Sequence, residues 1–172
     1  MTLIDYEGHH PRISDKAWLA ESASIIGDVA IEENSSVWYN AVIRGDGVRI
    51  RIGKNVAVED LVMIHGNTVI EDNVVIGHTA ILHGCYIEKN CLIGMGSVIM
   101  DGAHIGEGSI VGAGTIITSG KEFPPYSVIY GNPARVQRNG GREQFLELEQ
   151  AADNYYDYAV KQLLPASEWL EK

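Results

Sequence analysis

An aliphatic residue returns at every sixth position along most of the chain. One phase runs through Ile25, Ile31, Val37 and Ile43, then resumes after RGDGVRI at Ile52, Val58, Ile64, Ile70, Ile76 and Leu82. Nine residues separate Ile43 from Ile52, three more than the period, and a one-residue slip precedes Ile87, Ile93, Ile99, Ile105, Val111 and Ile117. The position after the aliphatic is often small, as at Gly53, Gly77, Gly94, Gly106 and Gly112. A period of six fits neither the 3.6 of an α-helix nor simple alternation, and abundant glycine with β-branched repeat residues disfavours helices. Short strands separated by bends at a fixed offset predict a chain that winds into a prism, its aliphatic residues pointing to the axis.

The pattern I-G-x-x-[STAV]-x, from about Ile13 to Val136, resembles the hexapeptide-repeat proteins. That resemblance implies a mainly β fold, a left-handed parallel β-helix with three strands and eighteen residues per coil. A solenoid must close its open ends. The residues before Ile25 are expected to cap one of them. At the other, FPPYSVIYGNPARVQRN reads as a proline-bearing turn region. Beyond it Phe145, Leu148, Ala152, Tyr155, Ala159 and Leu163 fall three or four apart, the stripe of an amphipathic helix that folds back along an outer face and stops at Pro165. The expected organisation is one domain, with residues 1–138 forming the β-helix and its N-terminal cap, and 139–172 the helix packed on the prism.

With 172 residues and 45% hydrophobic content the chain can bury a core, and its net charge of -10 argues against nucleic-acid or anionic-membrane partners. No run of eighteen apolar residues occurs, and MTLIDYEGHHPRIS places charges and a proline where a signal peptide needs an apolar core. A soluble, cytoplasmic protein is expected. Cys85 and Cys91 stand without CxxC spacing and read as free, buried thiols.

Candidate chemistry lies in HGNTVIEDNVVIGHTAILH, His65 to His83, which holds three of the six histidines. His65 and His83 directly follow Ile64 and Leu82 and are eighteen residues apart, so coils of that length put them on one edge, one above the other at ~4.8 Å. His78 follows Ile76 by two residues and belongs to another edge. A shared site results if prisms pack about a threefold axis, His78 of one subunit meeting His65 and His83 of its neighbour. Three neutral imidazoles leave the full double charge on a zinc-like ion and one position open to water, whose pKa such an ion brings to about 7. The hydroxide so formed could attack the carbon of CO2. Zn2+ is expected, with Fe2+ or Co2+ compatible because imidazole suits all of them. His9, His10 and His104 lack comparable spacing and read as surface residues.

The stretches SSVWYNAVIRGD, IGKNVAVED, IGHTAILHGC and LIGMGSVIMDGA, with His65 between them, resemble the γ-class carbonic anhydrases and their homologues over most of the chain. The resemblance implies hydration of CO2 to bicarbonate by a homotrimer, with His65, His78 and His83 as metal ligands. It makes Arg44 and Asp46 an intersubunit salt bridge bordering the site. It gives Asp60 a role in orienting Arg44 or the metal's surroundings, and Asn154 and Tyr155 a role in positioning bicarbonate. Two departures stand out. Glu59 occupies a position usually held by glutamine, where its charge can accept a proton or raise the water's pKa. No acidic loop carrying a glutamate shuttle is inserted, leaving Glu59 as the local substitute. Two rivals share the repeat. One is a CoA-dependent acyltransferase or CoA-thioester hydrolase, to which GNPAR at Gly131 to Arg135 is equally suited. The other is a non-catalytic trimeric scaffold.

Overall fold

The computed structural model describes residues 1–140 and 154–161. Parallel strands, most only two or three residues long, stack into a left-handed β-solenoid of about seven coils. Ser24–Ile31 and Val42–Ile52 are longer and turn a corner, so they join the first and second faces into one twelve-stranded sheet; the third face is an eight-stranded sheet. On the first face Leu82 pairs with Ile64 below and Ile99 above, and Ile99 with Ile117. These residues and their counterparts on the other faces are fully buried and form one continuous core. The second and third faces contribute Ile52, Ile70, Ile87 and Ile105, and Val58, Ile76, Ile93 and Val111.

Two of the three corners follow one rule, a left-handed residue at the second turn position. It is Asn34, Asn55, Asn73, Asn90 and Gly108 between the second and third faces, and Asn40, Leu61, Thr79, Gly96 and Gly114 between the third and first. Glycine and asparagine adopt that conformation at low cost. The asparagines also stack, Asn55 Nδ2 donating to Asn73 Oδ1 at 2.9 Å and Asn73 Nδ2 to Asn90 Oδ1 at 3.1 Å. Glycine after the inward aliphatic has another cause: a Cβ on Gly94 would lie 2.5 Å from Ala113 N of the next coil.

The third corner, between the first and second faces, absorbs every departure from the six-residue period. The nine-residue interval from Ile43 to Ile52 and the five-residue interval from Leu82 to Ile87 both pass round it.

The opening residues form a coil of their own. Thr2–Ile4 pairs with Ser24–Ile26, Arg12–Ile13 with Ala30–Ile31, and Trp18–Leu19 with Ser36–Val37. At the far end Ser127–Gly131 folds back antiparallel on Ala134–Asn139 through the cis Asn132–Pro133 bond. Residues 154–161 are helical and lie on the third face. Tyr155 packs on Ala57 and Val75, Tyr158 stacks on Trp38, and Ala159 is buried. Phe145, Leu148, Ala152, Leu163 and Pro165 of the expected helix lie outside the described residues. No described helix is long and apolar enough to cross a membrane.

Candidate functional site

Met63–His65 and Ile81–His83 are neighbouring strands of the first face, with His65 and His83 in register at their ends. Alternation turns Ile64 and Leu82 inward and the histidines outward, at the irregular corner. His65 Nδ1 lies 3.1 Å from His83 Nε2. Each ring's other nitrogen meets a carboxylate, His65 Nε2 at 3.0 Å from Asp46 Oδ1 and His83 Nδ1 at 2.9 Å from Asp101 Oδ1. Carboxylates accept hydrogen bonds, so this network assigns the protons of the neutral rings to His65 Nε2 and His83 Nδ1. The facing nitrogens at 3.1 Å can share one proton in a hydrogen bond or, where neither carries one, both turn their unshared pairs toward a cation. Two nitrogens bound tetrahedrally to zinc are about 3.3 Å apart, so the pair is already near ligand spacing.

Asp101 was not singled out in the sequence. Its signal was available, since it follows His83 by the same eighteen residues that separate His83 from His65.

His78 lies at the corner between the third and first faces, away from the pair, and among the described residues no group of three possible metal ligands occurs in a single chain. Its Nδ1 is 2.9 Å from Asp60 Oδ2 and its Nε2 3.1 Å from Glu59 Oε2. The Glu59 oxygen also accepts the His78 backbone N–H at 2.9 Å, and Asp60 Oδ1 accepts that of Tyr39 at 3.2 Å. Within the chain, then, Asp60 meets His78 and not Arg44. Arg44 Nη1 is 3.2 Å from Asp46 Oδ2 of the same chain, while its Nε is buried and has no partner among the described residues.

Glu59 is buried, and its carboxylate acts on the Tyr155 hydroxyl. Burial first, then that carboxylate, pushes the Tyr155 hydroxyl up to about 12, so it remains a proton donor at neutral pH. Asn154 and Tyr155 line a cleft of about 400 Å3 with Trp38, Asp60, His78 and Tyr158. On the other side of Tyr155 and His78 a cleft of about 230 Å3 is walled by Val75, Leu92, Ile93 and Met95.

The remaining candidates behave differently. Cys85 and Cys91 are free and buried, and burial pushes both thiols up to about 12, removing them as nucleophiles. His10 and His104, read as surface residues, are exposed and half-buried respectively, and each meets a carboxylate: His10 Nδ1 lies 2.6 Å from Asp5 Oδ1, and His104 Nε2 lies 2.8 Å from Glu88 Oε1. The reason is local, a carboxylate across a turn for His10 and on an adjacent corner for His104.

A Methanocaldococcus jannaschii protein named a probable carbonic anhydrase is 45% identical over 147 residues, 83% of this chain and 92% of that one. The chain belongs to the γ-class carbonic anhydrase-like family of hexapeptide-repeat proteins. Residues 84–119 match the repeat described as bacterial transferase hexapeptide (six repeats). A carbonic anhydrase of Geobacillus kaustophilus is 41% identical over 74 residues, 41% of each chain. Among solved structures, a hexapeptide transferase family protein of Anaplasma phagocytophilum superposes with TM-score 0.91 at 39% identity, over 94% of this chain and 98% of that one. In three other family relatives the matched stretches span 26 to 41% of their length. Relatives thus carry both carbonic anhydrase and transferase names.

Proposed function

We propose that the chain hydrates CO2 to bicarbonate as a homotrimer, at a metal site built from His65 and His83 of one subunit and His78 of the next. The observation that carries this reading is the pair of imidazole nitrogens facing each other at 3.1 Å, each ring held from behind by a carboxylate. Such carboxylate partners fix ring orientation and increase ligand basicity. His78, on the other flank of the first face, is the third ligand of this reading: Asp60 holds its Nδ1, and its Nε2, which faces Glu59 in the single chain, would exchange that carboxylate for the metal on assembly.

The surface between the two flanks supports the assembly. Its outward column reads Val42, Met63, Ile81, Val98 and Ile116, linked rung by rung, where a solvated face would carry polar residues. Ile81 is 43% exposed. The buried Nε of Arg44, which has no partner among the described residues, sits at the corner between the first and second faces, where a neighbouring subunit or a water can supply its acceptor.

A zinc-like ion, when bound, supplies Lewis acidity that makes water a nucleophile near neutral pH. The chain's own residues then have distinct tasks. Asp46, Asp101 and Asp60 hold the three rings. The aliphatic cleft beside His78 suits a non-polar CO2 molecule and keeps bulk water away. Glu59, buried between His78 and the Tyr155 hydroxyl, is placed to accept a proton. Asn154 and Tyr155 present donors where an anionic product leaves.

Metal analysis tests the site. The purified protein should hold about one metal per subunit, and His78→Ala should lose nearly all of it. Metal retained by that variant would refute the shared site. Stopped-flow CO2 hydration with zinc, cobalt or anaerobic iron then separates a catalyst from a scaffold. An acyltransferase shares the prism and the transferase-named relatives, but needs one histidine base and no facing pair; acetyl-CoA turnover by metal-free protein would favour it.

A further inference from the structure

The His78 corner holds one more carboxylate than a three-histidine site uses. Glu59 follows the Ala57–Val58 strand of the third face, and its side chain is only 4% exposed. Its Oε2 accepts the His78 backbone N–H at 2.9 Å and lies 3.1 Å from His78 Nε2. Register produces both contacts. Val58 pairs with Ile76, so the carboxylate after Val58 stands one coil below the turn that begins after Ile76 and carries His78.

Positive charge is missing around Glu59. Asp28, also buried, meets Arg12, Arg49 and Arg51. No Lys or Arg among the described residues pairs with Glu59, whose partners are His78 and the neutral Tyr155 hydroxyl. A buried carboxylate is costly without a cation beside it. His78 cannot be that cation and a metal ligand at once, because a ligating imidazole is neutral. The proton of the neutral ring belongs on Nδ1, 2.9 Å from Asp60 Oδ2, since a carboxylate only accepts. Nε2 then turns an unshared pair toward Glu59 Oε2, two acceptors 3.1 Å apart. A proton can fill that gap in the single chain; a metal ion fills it once His78 serves as a ligand.

We propose that Glu59 is a fourth protein donor to the metal, bound through Oε2 beside His78 Nε2. This inference rests on the three-histidine reading and extends it. Two donors on one ion at zinc-like bond lengths stand about 2.9–3.4 Å apart for angles between square and tetrahedral, and the observed 3.1 Å lies within that span. Each interface then joins two donors from one subunit, His65 and His83, to two from the next, His78 and Glu59. Four protein donors complete a tetrahedral site, so an ion that also takes water here is five- or six-coordinate. Both contacts with His78 use Oε2, which leaves Oε1 to receive a proton.

A crystal structure of the protein loaded with Co2+, the ion located by anomalous scattering, tests the assignment. An ion held by the three histidines should have a Glu59 oxygen at about 2.0–2.2 Å. Glu59 beyond bonding distance, or reaching the ion only through a water, overturns the fourth donor and leaves the three-histidine site standing. No ion on those histidines overturns both. Chelator competition supplies a second readout in solution. Glu59→Gln keeps the size of the side chain and removes its charge, and it should weaken Co2+ binding by about tenfold or more with unchanged far-UV circular dichroism. Glu122→Gln, an exposed carboxylate on the second face, should bind as the parent does. Equal affinity of the parent and Glu59→Gln also overturns the proposal, and should that variant not fold, the distance in the parent structure decides.

Discussion

Gly66 lies directly after His65 with φ at 71°, and a Cβ there would sit 2.5 Å from Gly84 N and 3.2 Å from His83 Nδ1. Alanine at this position meets both left-handed strain, about 1–2 kcal/mol, and a backbone of the next coil that cannot yield. Gly66→Ala should therefore lower stability by about 2 kcal/mol or more in urea unfolding and reduce metal retention by displacing His83. Parent-like stability and metal content would show that the corner is loosely packed. Leu61 presents the opposite case. Its φ is 61°, it is 58% exposed, and it occupies a turn position where other coils use asparagine, threonine or glycine. Leu61→Asn should raise stability by about 0.5–1 kcal/mol, read from the urea midpoint at unchanged slope. At this scale the His65–His83 pair was legible because spacing of eighteen fixes register. Asp101 shared that spacing but was missed, because a carboxylate followed by glycine also describes an ordinary turn.

The strand Val42–Ile52 shows what a single element adds. Its three extra residues push RGDGV outward at one corner, which brings Asp46 to His65 and Arg49 to Asp28. The interruption was visible as a nine-residue interval; that every irregularity shares one corner was not, since faces are assigned only after the chain is wound. Asp28 gives a pH prediction. The Arg49 hydrogen bond, against opposing burial and with Arg51 assisting, holds its carboxyl below the ordinary carboxylate range. A folded value below the unfolded one means the stabilisation is complete above the unfolded value and disappears as pH falls through the folded value. Asp28→Asn should thus cost stability at pH 7 and flatten the decline that sets in as pH falls through and below the ordinary carboxylate range. Urea unfolding at stepped pH measures this, and parallel profiles for the two proteins would remove Asp28 from the account.

For the whole molecule, the proposed assembly would rest on the outward aliphatic column of the first face. Ile81→Glu places a charge at its centre without touching the inward Leu82. Light scattering should show loss of assembly while far-UV circular dichroism is unchanged, and metal should be lost with the partner's ligand. An assembled variant would mean that copies meet elsewhere. A burial-driven interface explains this sensitivity, because one buried unpaired carboxylate costs more than several methylenes contribute.

Sequence alone determined the solenoid, its inward ladder and the stacking of His65 on His83. Period and register are consecutive properties of a chain, and each coil repeats the last. Tertiary structure decided what stands behind those rings, that Asp60 and Glu59 both serve His78, and that three arginines share Asp28. Those contacts join side chains from different coils, whose directions depend on how each corner bends, and corner geometry is set by packing against neighbours that no local pattern records.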